Sequence, residues 1–105
     1  MTHSMNDFMS ASAADKIAHL EARLHAALAP VSLHIDDDSA AHAGHAGAAS
    51  GSHYTVTIVS GQFAGKPRVA RHRMVYDALA EEMRRGVHAL AIRAYTPEEY
   101  AEQFE

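Results

Sequence analysis

Residues 53–95 decide the fold of this chain. They read HYTVTIVS at 53–60, GQFAGKP at 61–67, RVARHRMVYDALAEEMRR at 68–85 and HALAIRAY at 88–95. The first segment has the β-branched and aromatic residues typical of strands, and the last segment alternates larger apolar residues with other residues as strands do. The apolar residues Val75, Leu79 and Met83 recur at helical spacing and predict a helix over 69–85. A helix between two strands indicates a crossover that makes those strands parallel.

The flanking segments add two helices and one strand. Residues 12–29 repeat apolar side chains at three- and four-residue spacing after a serine that can cap them, so they predict a first helix. Residues 31–35 alternate and predict a short strand. Residues 36–52 contain no large apolar side chain and predict a loop to the next strand, which we expect to pair antiparallel. Residues 96–99 read TPEE, a capping box that opens a terminal helix.

These elements predict one small α+β domain in the order α-β-β-α-β-α, because 105 residues enclose a single hydrophobic core. The order implies a three-stranded mixed sheet with helices on one face. Residues 1–11 lack periodicity, and we expect a disordered tail there and the domain over 12–105. The sequence contains neither an apolar stretch of about 20 residues nor a signal peptide. We therefore expect a cytoplasmic protein that does not associate with membranes.

The chain has nine histidines and no cysteine. It therefore has no disulfide and no thiolate with which to hold an iron–sulfur cluster by itself. We expect no enzymatic activity, since no nucleophile–base motif and no glycine-rich phosphate loop is visible. Imidazole is a common metal ligand, so the histidines are the candidate functional residues. A zinc site of His42, His45 and His53 with aspartates 36–38 is the weaker interpretation, because His-x2-His is shorter than paired zinc histidines usually require.

Charge is divided unevenly along the chain. Residues 1–60 and 96–105 each carry a net charge of −4, whereas residues 61–95 carry +4. The basic middle contains the candidate nucleic-acid contacts, which are Lys66, Arg68, Arg71 and Arg73. An overall charge of −4 and the absence of a GXXG loop argue against binding in the manner of KH domains. A partner-facing surface and a solvated face remain the alternatives for these side chains.

Several separated motifs resemble the BolA family. They are HY at 53–54 with VS at 59–60, FAG at 63–65, RHRMVY at 71–76, VHAL at 87–90 and YTP at 95–97. The resemblance extends over about residues 15–100. It implies a fold similar to type II KH domains and a non-enzymatic role. BolA-like proteins partner monothiol glutaredoxins, share a [2Fe-2S] cluster with them and have been proposed as transcriptional regulators.

The same resemblance implies the cluster ligands. The family's histidine in the VHAL motif falls on His88, and its His or Cys ligand in the loop between the first two strands falls on His42, with His45 as the less favoured choice. Strand parity predicts that His88 lies on the side of Leu90 and Ile92, toward the helix-covered face. Because the chain has no cysteine, a partner must supply the thiolates, and mixed His and Cys ligation is known from Rieske centres.

The sequence thus predicts a cytoplasmic adaptor that binds a monothiol glutaredoxin and carries no cofactor when alone. The alternative is a DNA-binding regulator that uses the basic side chains of residues 66–73. Weak homodimerisation of the free protein also stays open.

Overall fold

The computed structural model describes residues 12–38 and 52–104. Its elements are helix α1 (Ala13–Leu28), strands β1 (Ser32–Asp37) and β2 (Ser52–Val59), a 3-10 turn (Gly61–Phe63), helices α2 (Arg68–Ala78) and α3 (Ala80–Arg85), strand β3 (Val87–Tyr95) and helix α4 (Pro97–Phe104). The strands form one sheet in the order β1-β2-β3. The first two strands pair antiparallel and the last two parallel, so the predicted α+β fold with a mixed sheet is confirmed.

Local sequence signals set both ends of α1. The hydroxyl of Ser12 accepts a hydrogen bond from the backbone N–H of Asp15 at 3.1 Å, which confirms the predicted cap. The helix ends where Ala29 adopts a left-handed conformation with φ 44° and donates its N–H to the carbonyl of His25. Pro30 follows directly and cannot continue the helix.

The hydrophobic core lies between the helices and one face of the sheet. Alternate residues of β2 point into it, and α1 contributes leucines one turn apart. The central members are Leu20, Leu24, Leu28, Ile35, Tyr54, Val56, Ile58, Phe63, Val75 and Leu79. Each such side chain contributes about 1.5–3 kcal/mol by leaving water. On the opposite face of the sheet, Thr55 and Thr57 are half-buried and Arg93 is exposed, so the helices cover one face as predicted.

The prediction of one crossover helix over 69–85 is wrong in one respect. The structure has two helices there, α2 and α3, which meet at Leu79. That residue leaves helical geometry with φ −110° and ψ 21°. No glycine or proline occurs between 68 and 85, so local sequence does not break the helix. The interruption coincides with the side chain of Leu79, which is fully buried in the core. Both α2 and α3 contact β3.

Strand β1 also departs from its predicted bounds of 31–35. Val31 precedes the strand and is 71% exposed, although alternation predicted it on the apolar side. The strand continues to Asp37, which pairs with Tyr54 of β2. Aspartate has a low strand propensity, but here the longer β2 supplies backbone hydrogen-bond partners. The loop predicted from residue 36 therefore begins later, and residues 39–51 lie outside the described part of the chain.

Candidate functional site

His88 occupies an irregularity in the pairing of β2 with β3. Ser52 lies opposite Val87 and His53 lies opposite Ala89, so His88 is an extra residue in β3. Val87 and Leu90 are both buried although they are three positions apart, which regular alternation does not allow. These features define a β-bulge, which can redirect a side chain. Because of this irregularity, alternation along β3 does not determine the direction of His88. The structure describes the backbone of His88 but not its side chain, so the predicted direction stays a prediction.

The chain leaves β1 and re-enters β2 at the same end of the sheet as this bulge. The N–H of Asp38 donates to the carbonyl of His53 at 2.8 Å, and Ser52 pairs with Val87, the neighbour of His88. The intervening segment contains His42 and His45, which lie outside the described residues. Both ends of that segment are thus held by backbone contacts to the sheet, at Asp38 and at Ser52, close to the position of His88.

The donor set at this end of the sheet consists of imidazoles, since the chain has no cysteine. His88 and one histidine of the segment 39–51 would supply two nitrogen ligands and leave the remaining positions to another protein. Within residues 12–38 and 52–104, no group of three or more His, Cys, Asp or Glu side chains could hold a metal ion. The zinc alternative depends on His42 and His45, which the structure does not describe.

The candidate nucleic-acid contacts differ in their surroundings. Lys66, Arg68 and Arg73 are exposed, whereas the side chain of Arg71 is only 12% exposed. Arg71 forms a two-pronged ion pair with Glu99 of α4, at 2.6 and 3.0 Å. DNA contact by Arg71 would therefore require this ion pair to break.

Arg71 joins four parts of the structure. Its Nε donates to the carbonyl of Lys66 at 2.8 Å, and its Nη1 donates to the carbonyl of Ala94 in β3 at 3.2 Å. The guanidinium carbon lies 6.0 Å from the ring centroid of Phe63. Together with the pair to Glu99, these contacts hold the 3-10 turn region, α2, β3 and α4 against one another. Sequence alone indicated a cation at position 71 but not this connecting role.

The capping box predicted at residues 96–99 is confirmed. The N–H of Glu99 donates to the Thr96 hydroxyl at 3.2 Å, and the N–H of Thr96 donates to the Glu99 carboxylate at 3.0 Å. The pKa of Glu99 is lowered from 4.5 to about 2. The hydrogen bonds from Arg71 are the largest cause, and the hydrogen bond from the backbone N–H of Thr96 is the second. Glu99 therefore serves both the cap and the ion pair.

This lowered pKa gives stability a specific pH dependence. Because the folded pKa lies below the ordinary one, the contribution of Glu99 is present above about pH 5 and is lost as pH falls from 4.5 toward 2. We expect the stability difference between the protein and its Glu99→Gln variant to shrink over this window, measured by urea unfolding. In an Arg71→Met background, the same difference should vary much less with pH. A difference that stays constant between pH 5 and pH 2 contradicts the assignment.

A groove of about 1040 Å³ lies beside this ion pair. It runs between the segment that opens α2, the C-terminal half of β3 and one side of α4. Its charged lining comprises Lys66, Arg68, Arg71, Arg93, Glu99 and Glu102. Since Arg71 and Glu99 neutralise each other, the remaining lining charge is positive.

Helix α3 contains a buried carboxylate that no sequence pattern indicated. Glu82 is fully buried, and its Oε2 lies 2.5 Å from Nε2 of His19 and 3.5 Å from Nε of Arg23, both in α1. Within the described residues, Oε1 of Glu82 has no hydrogen-bond partner. Glu82 lies among the charged residues of 81–85, a pattern typical of a solvated helix face, so no local signal could have identified this contact.

None of the helices in the described part of the chain is long and apolar enough to cross a membrane.

The fold and the bulge define a class of protein: a small α+β domain with helices on one face of a mixed sheet and a histidine at the start of its last strand. The family model described as BolA-like protein matches residues 24–99. The chain therefore belongs to the BolA-like family, and the resemblance seen in the sequence is confirmed.

Relatives and a solved structure agree with this assignment. The chain is 43% identical over 93 residues to BolA-like protein 1 of Mus musculus, covering 89% of this chain and 66% of that protein. It is 46% identical over 81 residues to the DNA-binding transcriptional regulator BolA of Escherichia coli, covering 77% of this chain and 75% of that protein. The structure of the BolA domain of SufE1 from Arabidopsis thaliana matches with a TM-score of 0.69 and 44% identity, over 78% of this chain and 92% of that one.

Proposed function

We propose that this protein is a non-enzymatic adaptor that binds a monothiol glutaredoxin and supplies His88, together with His42, to a shared [2Fe-2S] cluster. The observation that carries the proposal is the backbone position of His88. It lies on a bulge at the sheet end where the segment containing His42 is anchored at Asp38 and Ser52. Membership of the BolA-like family supports the same function.

The chain's own part in this function is to present imidazoles from one edge. Thiolates from the partner complete the ligand set, because this chain has no cysteine. The cluster supplies electron-transfer or iron–sulfur transfer chemistry when bound, and histidine ligation raises its potential relative to all-cysteine ligation. The free protein carries no cofactor. Its predicted cytoplasmic location remains a prediction.

Replacement of His88 tests the ligand assignment. We expect anaerobic reconstitution of this protein with a cysteine-bearing monothiol glutaredoxin to give a coloured heterocomplex. The His88→Ala variant should change its visible absorption and circular dichroism, because removing a ligand nitrogen alters the electronic environment of the iron it binds. An unchanged spectrum would mean that His88 is not a ligand.

The matched control is His25→Ala, which removes an exposed imidazole from α1 and should leave the spectrum unchanged. Separate His42→Ala and His45→Ala variants identify the second ligand. We expect the change with His42→Ala. A change with His45→Ala alone would transfer the assignment to His45.

DNA binding is the second candidate function. It is supported by the name of the Escherichia coli relative and by the exposed cations Lys66, Arg68 and Arg73. Neutralising phosphates releases counterions, so the affinity for duplex DNA should fall steeply as salt rises, and Arg73→Glu should weaken it. A fluorescence-anisotropy titration measures both effects. The absence of binding at low salt removes this candidate.

A further inference from the structure

The outer edge of β3 is one of the two edges of the sheet, and the other is the outer edge of β1. No strand among residues 12–38 and 52–104 pairs with the β3 edge, because the sheet ends at β3. Successive residues of a strand direct their backbone hydrogen-bonding groups to opposite edges. The Tyr95 carbonyl accepts a hydrogen bond from the N–H of Ser60, so the backbone N–H and C=O groups of Arg93 and Tyr95 point toward β2. The backbone N–H and C=O groups of Leu90, Ile92 and Ala94 therefore point away from β2, toward the outer edge.

Side chains cap two of these outward carbonyls. The Tyr76 hydroxyl donates to the carbonyl of Leu90 at 3.1 Å, and Arg71 donates to the carbonyl of Ala94 at 3.2 Å. Ile92 lies between them and lines the groove between α2 and α4. Its outward N–H and C=O are the donor and acceptor that an added strand would use.

The charges around this edge select the chemistry of an added strand. Lys66, Arg68 and Arg93 line the groove and are exposed, and within the described residues no ion pair involves them. Glu102 is the acidic side chain of the groove that is not paired with Arg71. An extended peptide with carboxylate side chains could pair with the backbone groups of Ile92 and also bring negative charge next to these three cations.

We propose that the groove along the outer edge of β3 binds an extended acidic segment of a partner protein, which adds to the sheet as a fourth strand at Ile92. Two other occupants fit less well. A second copy of the chain using the same edge would bring the same cations together across a two-fold axis. Nucleic acid carries no peptide backbone, so it cannot add as a strand to the outward N–H and C=O of Ile92. His88 lies at the opposite end of β3, so the inference does not depend on the proposed cluster function.

A short peptide in which glutamate alternates with valine, labelled with fluorescein, is the probe. We expect the full-length protein to bind it, and binding to protect the Ile92 N–H from hydrogen exchange without changing the N–H of Arg93, which already faces β2. The same peptide N-methylated at alternate residues keeps its charge but cannot add as a strand, so it should bind at least about tenfold more weakly.

Charge-reversal variants complete the test. Arg68→Glu and Arg93→Glu should each weaken binding of the probe peptide by at least about threefold. Arg73→Glu changes the net charge equally but lies outside the groove lining, so it should have little effect. Each of four results overturns the proposal: no binding of the probe, equal binding of the N-methylated peptide, equal loss with Arg73→Glu, or protection of Ile92 only by self-association or by a single-stranded oligonucleotide.

Discussion

Replacing Phe63 with alanine is expected to lower the free energy of unfolding by about 3–5 kcal/mol. Phe63 is fully buried although it belongs to the short 3-10 turn between β2 and α2. The substitution removes a large apolar side chain, leaves a cavity and also removes the ring beside the Arg71 guanidinium. For a domain of this size, the loss corresponds to a fall in Tm of more than about 12 °C.

Urea unfolding followed by far-UV circular dichroism measures this effect, and the Tm gives a second reading. The matched control is Val69→Ala in α2, because Val69 is 69% exposed and its truncation should change stability by less than about 0.5 kcal/mol. If the two variants lost similar amounts of stability, the turn would not be part of the core.

Replacing His19 with alanine is the second large expected effect. His19 approaches the buried carboxylate of Glu82 at 2.5 Å, and the other oxygen of that carboxylate has no partner in the described residues. Removing the imidazole leaves a buried carboxyl group whose remaining side-chain partner in the described structure is Arg23, at 3.5 Å. We expect the free energy of unfolding to fall by about 1–3 kcal/mol.

A double variant separates loss of the contact between His19 and Glu82 from loss of packing. In the His19→Ala background, Glu82→Leu replaces the buried charge with an apolar side chain of similar size and should restore most of the lost stability. The control is His25→Ala, an exposed histidine on the same helix, which should change stability little. Additive losses in the double variant would show that the carboxylate and the imidazole do not stabilise each other.

Much of the fold could be predicted because its signals are local. The Ser12 cap of α1 and the capping box that opens α4 each depend on residues within three positions of one another. The alternation in β2 and the helical spacing in α1 likewise report which side of an element is apolar. The order of these elements then implied the mixed sheet, since a helical crossover makes two strands parallel.

The candidate site was only partly predictable. The sequence singled out His88 through its family motif, but it gave no sign of the bulge, because a bulge depends on how Ser52 and His53 are paired with β3. It also grouped Arg71 with the exposed cations. The ion pair with Glu99 spans 28 positions of the chain and exists only once α2 and α4 are packed beside β3.

The sequence by itself determined the class of fold, the helix caps, the absence of thiolates and the family to which the chain belongs. Only the tertiary structure decided that Phe63 enters the core, that Glu82 is buried against α1, and that the edge of β3 opens into a basic groove. The reason is physical. Periodicity and capping report interactions within a few residues, whereas burial and ion pairing depend on which distant elements come together.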